Sequence, residues 1–160
     1  MKKFGIILLT VCMLTGLLTL SAFAKTKVDS AKDITYVADG SYMITAVTEQ
    51  AVASSVRSTT YTKIGTAVTN YYNKDNELIF QHTLQGTFSV VEGVSATCTD
   101  VTYSYNIYDS SWKLDSASTW KDANIAYGSA TFKDKVLFVT VNTVELSPRI
   151  VCDIYGNISH

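Results

Sequence analysis

The chain has 160 residues, with 13 basic and 14 acidic side chains and a formal net charge of −1. This near-neutral balance excludes a surface built for nucleic acid or for an anionic membrane. The length accommodates one domain with a single hydrophobic core, and a second independent core is not expected.

The first 24 residues have the three parts of a secretory signal peptide. Two lysines at positions 2 and 3 precede an apolar run over 4–20, and Ala-Phe-Ala at 22–24 fits a cleavage site for signal peptidase. We therefore expect an exported precursor that is cleaved before Lys25. The mature chain would carry 11 basic and 14 acidic residues, a net charge of −3.

The segment 25–56 has a weak pattern. Residues 34–38 fit a short strand and residues 39–40 fit a turn, whereas the alanine-rich stretch 46–56 is compatible with a helix or with a strand. We predict that 25–56 is partly disordered or loosely attached, and that the β domain occupies 57–160.

Alternation of apolar and polar residues with a period of two predicts strands through the rest of the chain. The clearest strand is 77–90, and the polar run 73–76 predicts a hairpin that joins it to 60–72. Further strands are predicted at 96–108, 112–120, 125–132, 136–146 and 149–154, separated by turns at 109–111, 122–124 and 133–135 and by Pro148. The strand 112–120 is the most polar and is placed near a sheet edge.

Short strands with turns about every ten residues are typical of an all-β fold. We predict a single antiparallel β-sandwich, immunoglobulin-like or similar, with a barrel as the alternative.

Two cysteines, Cys98 and Cys152, follow the signal peptide. In an oxidising compartment they favour a single disulfide, and two buried thiols are the alternative. A catalytic thiol is disfavoured, because His82 and His160 are the only histidines that could activate one.

The sequence contains no recognisable set of catalytic residues. It contains no motif of a zinc protease, a serine hydrolase or a phosphate-binding loop, so we expect no catalytic residues, no metal site and no cofactor. His82 lies on the apolar face of its predicted strand and is interpreted as a core residue. The carboxylates lie mostly singly in turns, although a glycosidase would need only two of them at a fixed separation.

Aromatic residues are the most promising candidates for binding, with ten tyrosines and two tryptophans. Trp112 and Trp120 flank the most polar strand, and their even spacing predicts that they share one face, roughly 27 Å apart. We take both as candidate ligand-binding residues, because aromatic rings stack on sugars and anchor protein partners. The alternative is that both fill the core and its margins.

Short landmarks from Tyr71 onward resemble uncharacterised small secreted β-rich proteins of Gram-positive bacteria. They are Tyr-Tyr-Asn at 71–73, Gly-Thr-Phe at 86–88, Ala-Thr-Cys-Thr at 96–99, Tyr-Asp-Ser-Ser-Trp-Lys at 108–113, Val-Cys-Asp at 151–153 and Gly-Asn-Ile-Ser at 156–159. The resemblance implies export and a paired Cys98 and Cys152, and it implies no activity.

These observations predict a secreted, non-enzymatic β domain that binds an extracellular protein or a cell-wall glycan. The alternatives are a small secreted hydrolase with an unrecognised acidic site and a bacteriocin-like or inhibitor protein. Neither nucleic acid nor stable membrane insertion is expected for the mature protein. Since the sequence has no hydrophobic tail at its C-terminus, free release is the expected fate.

Overall fold

The computed structural model describes residues 26–27, 32–52, 59–137 and 139–160. The predicted signal peptide lies outside the described residues. Within the described ranges the chain forms strands and turns but no helix, so no helix there is long and apolar enough to cross a membrane.

Eleven strands are present in the part of the chain that the structure describes. They are β1 (Thr26–Lys27), β2 (Lys32–Tyr36), β3 (Tyr42–Val52), β4 (Thr60–Tyr72), β5 (Leu78–Val91), β6 (Ser95–Ile107), β7 (Trp112–Asp122), β8 (Ile125–Val136), β9 (Val139–Leu146), β10 (Arg149–Cys152) and β11 (Ile158–Ser159).

The strands form two antiparallel sheets. The six-stranded sheet has the order β1-β3-β4-β5-β6, with β2 also paired to β3, and the five-stranded sheet has the order β11-β10-β8-β7, with β9 also paired to β8. The sheets stay separate instead of closing into a barrel, which confirms the prediction of an all-β sandwich. In the described residues the chain passes between the sheets once, at 108–111, whereas immunoglobulin domains use Greek-key connections.

The predicted hairpin between β4 and β5 is confirmed, and it forms the centre of the six-stranded sheet. Its tip is organised by Asn73, whose side-chain oxygen accepts the backbone N–H groups of Asp75 at 3.0 Å and Glu77 at 2.9 Å. Asn76 has a φ of 64°, a left-handed conformation that asparagine tolerates well. The polar run 73–76 therefore encodes this turn.

The N-terminal segment differs from its prediction. β3 pairs with β4 from Tyr42 opposite Tyr72 to Val52 opposite Thr62, and Val47 is buried in the core. Residues 42–52 are therefore a full strand of the sandwich and not a loosely attached segment. Hydrogen bonds to β4 satisfy their backbone groups, and this pairing outweighs the weak preference of the alanines for strand conformation. Residues 53–56 lie outside the described residues.

The predicted turn at 133–135 is wrong. These residues continue β8, where Asp134 pairs with both Trp112 and Asn142. The chain reverses two residues later, so that Val136 pairs with Val139, and Leu137 has a φ of 47°. Because apolar residues form this turn, it lacks the glycine, asparagine and aspartate that signal a reversal in the sequence.

The core lies between the two sheets and consists of two clusters. One contains Val47, Ala67, Leu84, Phe88, Val90, Cys98, Ala126, Ile150 and Cys152. The other contains Tyr71, Ile79, Phe80, Trp112, Ala130, Phe132, Val144 and Leu146. The sheets approach closely at Gly86, where an added Cβ would lie 2.8 Å from the Ala126 Cβ.

Candidate functional site

Trp112 is a core residue. Its side chain is 6% exposed, and its ring centroid lies 5.3 Å from that of Tyr71 and 5.5 Å from that of Phe80. Trp112 is therefore packed by its neighbours and does not offer an open stacking surface, although it borders a cleft at one end of the sandwich.

Trp120 lies on the opposite side of β7 and faces solvent. It is 49% exposed, and its ring stacks on Tyr127 with a centroid separation of 5.3 Å and an interplanar angle of 6°. A register shift between Leu114 and Ser116 separates the two tryptophans. Such a bulge reverses the alternation of side chains, so the prediction that Trp112 and Trp120 share one face is wrong.

Trp120 belongs to a row of three residues across the outer face of the five-stranded sheet. Tyr127 on β8 lies opposite Trp120 on β7, and exposed Arg149 on β10 lies opposite Tyr127. We call Trp120, Tyr127 and Arg149 the tryptophan row. A cleft of about 170 Å³ adjoins it, lined by Trp120 together with Asp100, Val101, Thr119 and Lys121. The row therefore combines an exposed aromatic pair with charged and hydroxyl groups.

A second aromatic group, which was not predicted from the sequence, lies on the outer face of the six-stranded sheet. Tyr36 pairs with Tyr42, and Tyr42 pairs with Tyr72. The ring centroids of successive tyrosines are 6.0 Å and 5.0 Å apart, and Tyr36 is 75% exposed. We call these residues the tyrosine ladder. The turn predicted at 39–40 was only a partial signal, because a two-residue turn there would place Tyr36 opposite Met43. The actual turn occupies 38–40 and places Tyr36 opposite Tyr42.

The cleft beside Trp112, here called the end cleft, has a volume of about 380 Å³ and is rich in acidic and amide groups. Its lining comprises Asp39, Ser41, Tyr71, Asn73, Lys74, Ile79, Asp109, Trp112, Asp134 and Asn142. The Tyr71 hydroxyl donates to the Ser41 Oγ at 2.9 Å, and the Ser41 hydroxyl donates to Asp39. This bond from Ser41 holds the pKa of Asp39 below its ordinary value, whereas burial raises the pKa of Tyr71.

A larger cleft, of about 440 Å³, opens between β3 and β4 on one side and the β9–β10 connection on the other. It is lined by Asp33, Thr35, Met43, Thr45, Ala67, Thr69, Glu145, Leu146, Ser147, Pro148, Arg149 and His160. The hydroxyls of Thr45 and Thr69 lie 3.0 Å apart and bond to each other. Among the described residues, His160 contributes the one aromatic ring of this cleft, an imidazole, so these residues offer little surface for stacking.

Cys98 and Cys152 are free thiols in this structure, so the predicted disulfide is not formed in it. Both are buried in one core cluster, and their backbone N–H groups donate to consecutive carbonyls, Cys98 to Ala123 at 2.7 Å and Cys152 to Asn124 at 3.0 Å. Burial raises the pKa of both thiols, that of Cys152 to about 11. Neither cysteine is thus an activated nucleophile.

His82 is a core residue, as predicted, with 1% of its surface exposed. Its Nδ1 has no hydrogen-bond partner among the described residues, and burial lowers its pKa. The core therefore favours the neutral form of the ring. Within the described ranges, no group of three or more histidine, cysteine, aspartate or glutamate side chains is placed to hold a metal ion.

Comparison of the chain with protein-family models, with curated proteins and with solved structures finds no match. The resemblance to secreted Gram-positive proteins thus remains a prediction.

Proposed function

We propose that the chain is a secreted, non-enzymatic binding domain and that the tryptophan row is its contact surface for an extracellular protein. The observation that carries this proposal is the alignment of exposed, stacked Trp120 and Tyr127 with Arg149 in the register of β7, β8 and β10. Tryptophan, tyrosine and arginine are the residues enriched among the energetically dominant positions of protein interfaces.

The geometry of the row favours binding for a second reason. Tyr127 covers one face of the Trp120 ring and restricts its rotation before any partner arrives. A side chain that is already ordered loses less conformational entropy on association, and this ordering preserves affinity. The neighbouring cleft supplies Asp100 and Lys121 as charged groups that can set the orientation of a partner.

Secretion through the signal at 1–24 and oxidation of the two cysteines belong to the same proposal. Cys98 lies on β6 of the six-stranded sheet and Cys152 on β10 of the five-stranded sheet, so a bridge between them would join the sheets. In exchange with an oxidised dithiol carrier, the two thiols lose two protons and two electrons as the S–S bond forms, and the carrier disulfide is reduced.

The experiment is a binding assay with the fluorescently labelled chain and Gram-positive cell envelopes, before and after protease digestion of the envelopes. We expect binding that digestion abolishes and that Trp120→Ala or Arg149→Ala weakens at least about tenfold. Lys113→Ala, a change on the same strand away from the row, is the matched control and should bind normally. Binding that survives digestion, or that is indifferent to Trp120→Ala, would contradict a protein partner at this row.

A second function, hydrolysis by carboxylates, is favoured by one observation. Asp39, Asp109 and Asp134 line the end cleft together, and the Oδ1 of Asp134 is buried with no hydrogen-bond partner among the described residues. With its pKa lowered, Asp39 would serve as a base and not as a proton donor. Turnover of any glycan or peptide by the purified chain, abolished by Asp134→Asn and retained in Asp75→Asn, would establish this alternative over simple binding.

A further inference from the structure

The outer face of the six-stranded sheet is lined by uncharged residues in regular cross-strand rows. Across β3, β4, β5 and β6 these rows are Thr48-Thr66-Gln85-Thr102, then Ala46-Val68-Thr83-Ser104, then Ile44-Asn70-Gln81-Asn106. Every one of these side chains is partly or fully exposed, so nothing in the described part of the chain covers this face.

The absence of charge in these rows is unusual for a sheet face that meets solvent. Exposed strands commonly carry lysine and glutamate, which keep such faces soluble and prevent pairing with other chains. Here hydroxyl and carboxamide groups take their place, and the charges paired into this face lie at its margins, with Lys32 on β2 opposite Ala46 and Asp100 on β6 beyond Thr102. A charged polymer would find complementary charge only at these margins, whereas a neutral ligand rich in hydroxyl groups would find many hydrogen-bond partners.

The rows also differ in height. The middle row has shorter side chains than the row of Ile44, Asn70, Gln81 and Asn106 beside it, over about 14 Å at three strand spacings. The carboxamides of that adjacent row therefore stand above the middle row. The Gln81 Nε2 donates to the Asn70 Oδ1 at 2.9 Å, which fixes the orientation of both groups. Asn70 thereby presents its amino group, and Gln81 its carbonyl oxygen, to a ligand.

The tyrosine ladder is the next row along the sheet. Tyr42 and Tyr72 lie two residues before Ile44 and two after Asn70, on the same face as the carboxamides. Aromatic rings contact the apolar C–H faces of a sugar, while amides and hydroxyls bond its hydroxyl groups. Tyr42 and Tyr72 stack on each other, so the most open ring of the ladder is Tyr36, which is 75% exposed. The ladder and the row of amides lie side by side, an arrangement that suits a pyranose chain.

We propose that this surface, defined by Tyr36, Tyr42, Tyr72, Asn70, Gln81 and Asn106, binds a neutral glycan chain laid across the strands. It is a different surface from the tryptophan row, and the inference does not depend on the proposed protein partner. A second copy of the chain is a poorer occupant. The three rows and the ladder span β2 to β6 and cover only about 19 by 20 Å, well below the roughly 800 Å² per partner of a stable interface, and the β5–β6 half lacks an apolar centre.

Isothermal titration of the purified chain tests this assignment with four probes. They are a hexamer of β-1,4-linked N-acetylglucosamine, a hexamer of β-1,4-linked glucose, the anionic polymer polygalacturonate and a neutral glycine-serine peptide. We expect saturable binding of at least one neutral hexasaccharide and none of the polyanion or the peptide.

Three variants test whether the hexasaccharide binds to the outer face of the six-stranded sheet. Tyr36→Ala and Asn106→Ala change exposed side chains, so both should fold, and each should weaken hexasaccharide binding at least about tenfold. Trp120→Ala, on the other sheet, should leave it unchanged. Failure of both neutral hexasaccharides to bind, preference for polygalacturonate or for the peptide, or loss of binding in Trp120→Ala but not in Tyr36→Ala would each overturn the proposal. Envelope binding that depends on Trp120 alone would support the protein partner independently of this outcome.

Discussion

The buried thiols give the sharpest test of the core, because the two states of the chain should differ greatly in their reactivity. Burial raises the pKa of Cys152 from 9.0 to about 11. The thiolate is the reacting species, so a rise of this size lowers its fraction at pH 8 by roughly 100-fold. Steric exclusion adds to this factor, since Cys152 is fully buried and Cys98 nearly so.

The assay is reaction of the reduced chain with an aromatic disulfide reagent at pH 8, with and without denaturant. Cys152→Ala and Cys98→Ala assign the phases to single thiols. We expect native Cys152 to react at least about 100-fold more slowly than the same thiol in the unfolded chain. Equal rates in the two conditions would refute the placement of this residue in the core.

Oxidation provides the companion measurement. A bridge between Cys98 and Cys152 would close a loop of about 55 residues and stabilise the fold by about 4 kcal/mol, through restriction of the unfolded chain. For a chain of this size the melting temperature should rise by roughly 10–20 °C, and reductant should remove the gain. The double variant Cys98→Ala/Cys152→Ala should melt at one temperature with or without reductant. Two titratable thiols in denatured protein that was never reduced would contradict the bridge.

Three further predictions concern the packing. Gly86→Ala should destabilise the fold by about 1–3 kcal/mol in urea unfolding, because the new Cβ would collide with Ala126. Glycine-to-alanine changes at open sites usually stabilise a fold, so a gain in stability would contradict the close approach of the sheets. Because the pKa of His82 is lowered by folding, the unfolded chain binds a proton more readily than the folded chain. The free energy of unfolding should therefore fall as the pH drops from about 6.5 to 5, and His82→Leu should remove this pH dependence. Acrylamide should quench the fluorescence of Trp112→Phe, which retains Trp120, several-fold more strongly than that of Trp120→Phe, and equal quenching would be inconsistent with the bulge in β7.

The features that could be predicted from the sequence are those that depend on neighbouring residues. The hairpin of β4 and β5 follows from period-two alternation on either side of a polar tip, and the burial of His82 follows from its parity with Phe80 and Leu84. Such patterns need no knowledge of the partner strand.

The features that were missed depend on register. One additional residue in β7 turned Trp120 to solvent and left Trp112 in the core, and alternation alone gives no sign of a bulge. The reversal at Leu137 carries no turn residues, so its position was misjudged by two residues. Tyr36 and Tyr72 are distant in the sequence and become neighbours of Tyr42 only through the pairing of three strands.

Within the described ranges, the single crossing at 108–111 means that each sheet is continuous in the sequence. If the chain leaves an export channel with its N-terminus first, the hairpins of the six-stranded sheet form first. Phe80 and Phe88, on the inner face of that sheet, are then not yet packed against the second sheet. Because β8 and β10 supply that cover, cooperative burial waits for the last third of the chain to emerge. An intermediate at this stage would expose the apolar inner face of the six-stranded sheet. Under the proposed export, emergence of the last third of the chain would therefore determine when the protein becomes resistant to aggregation and proteolysis.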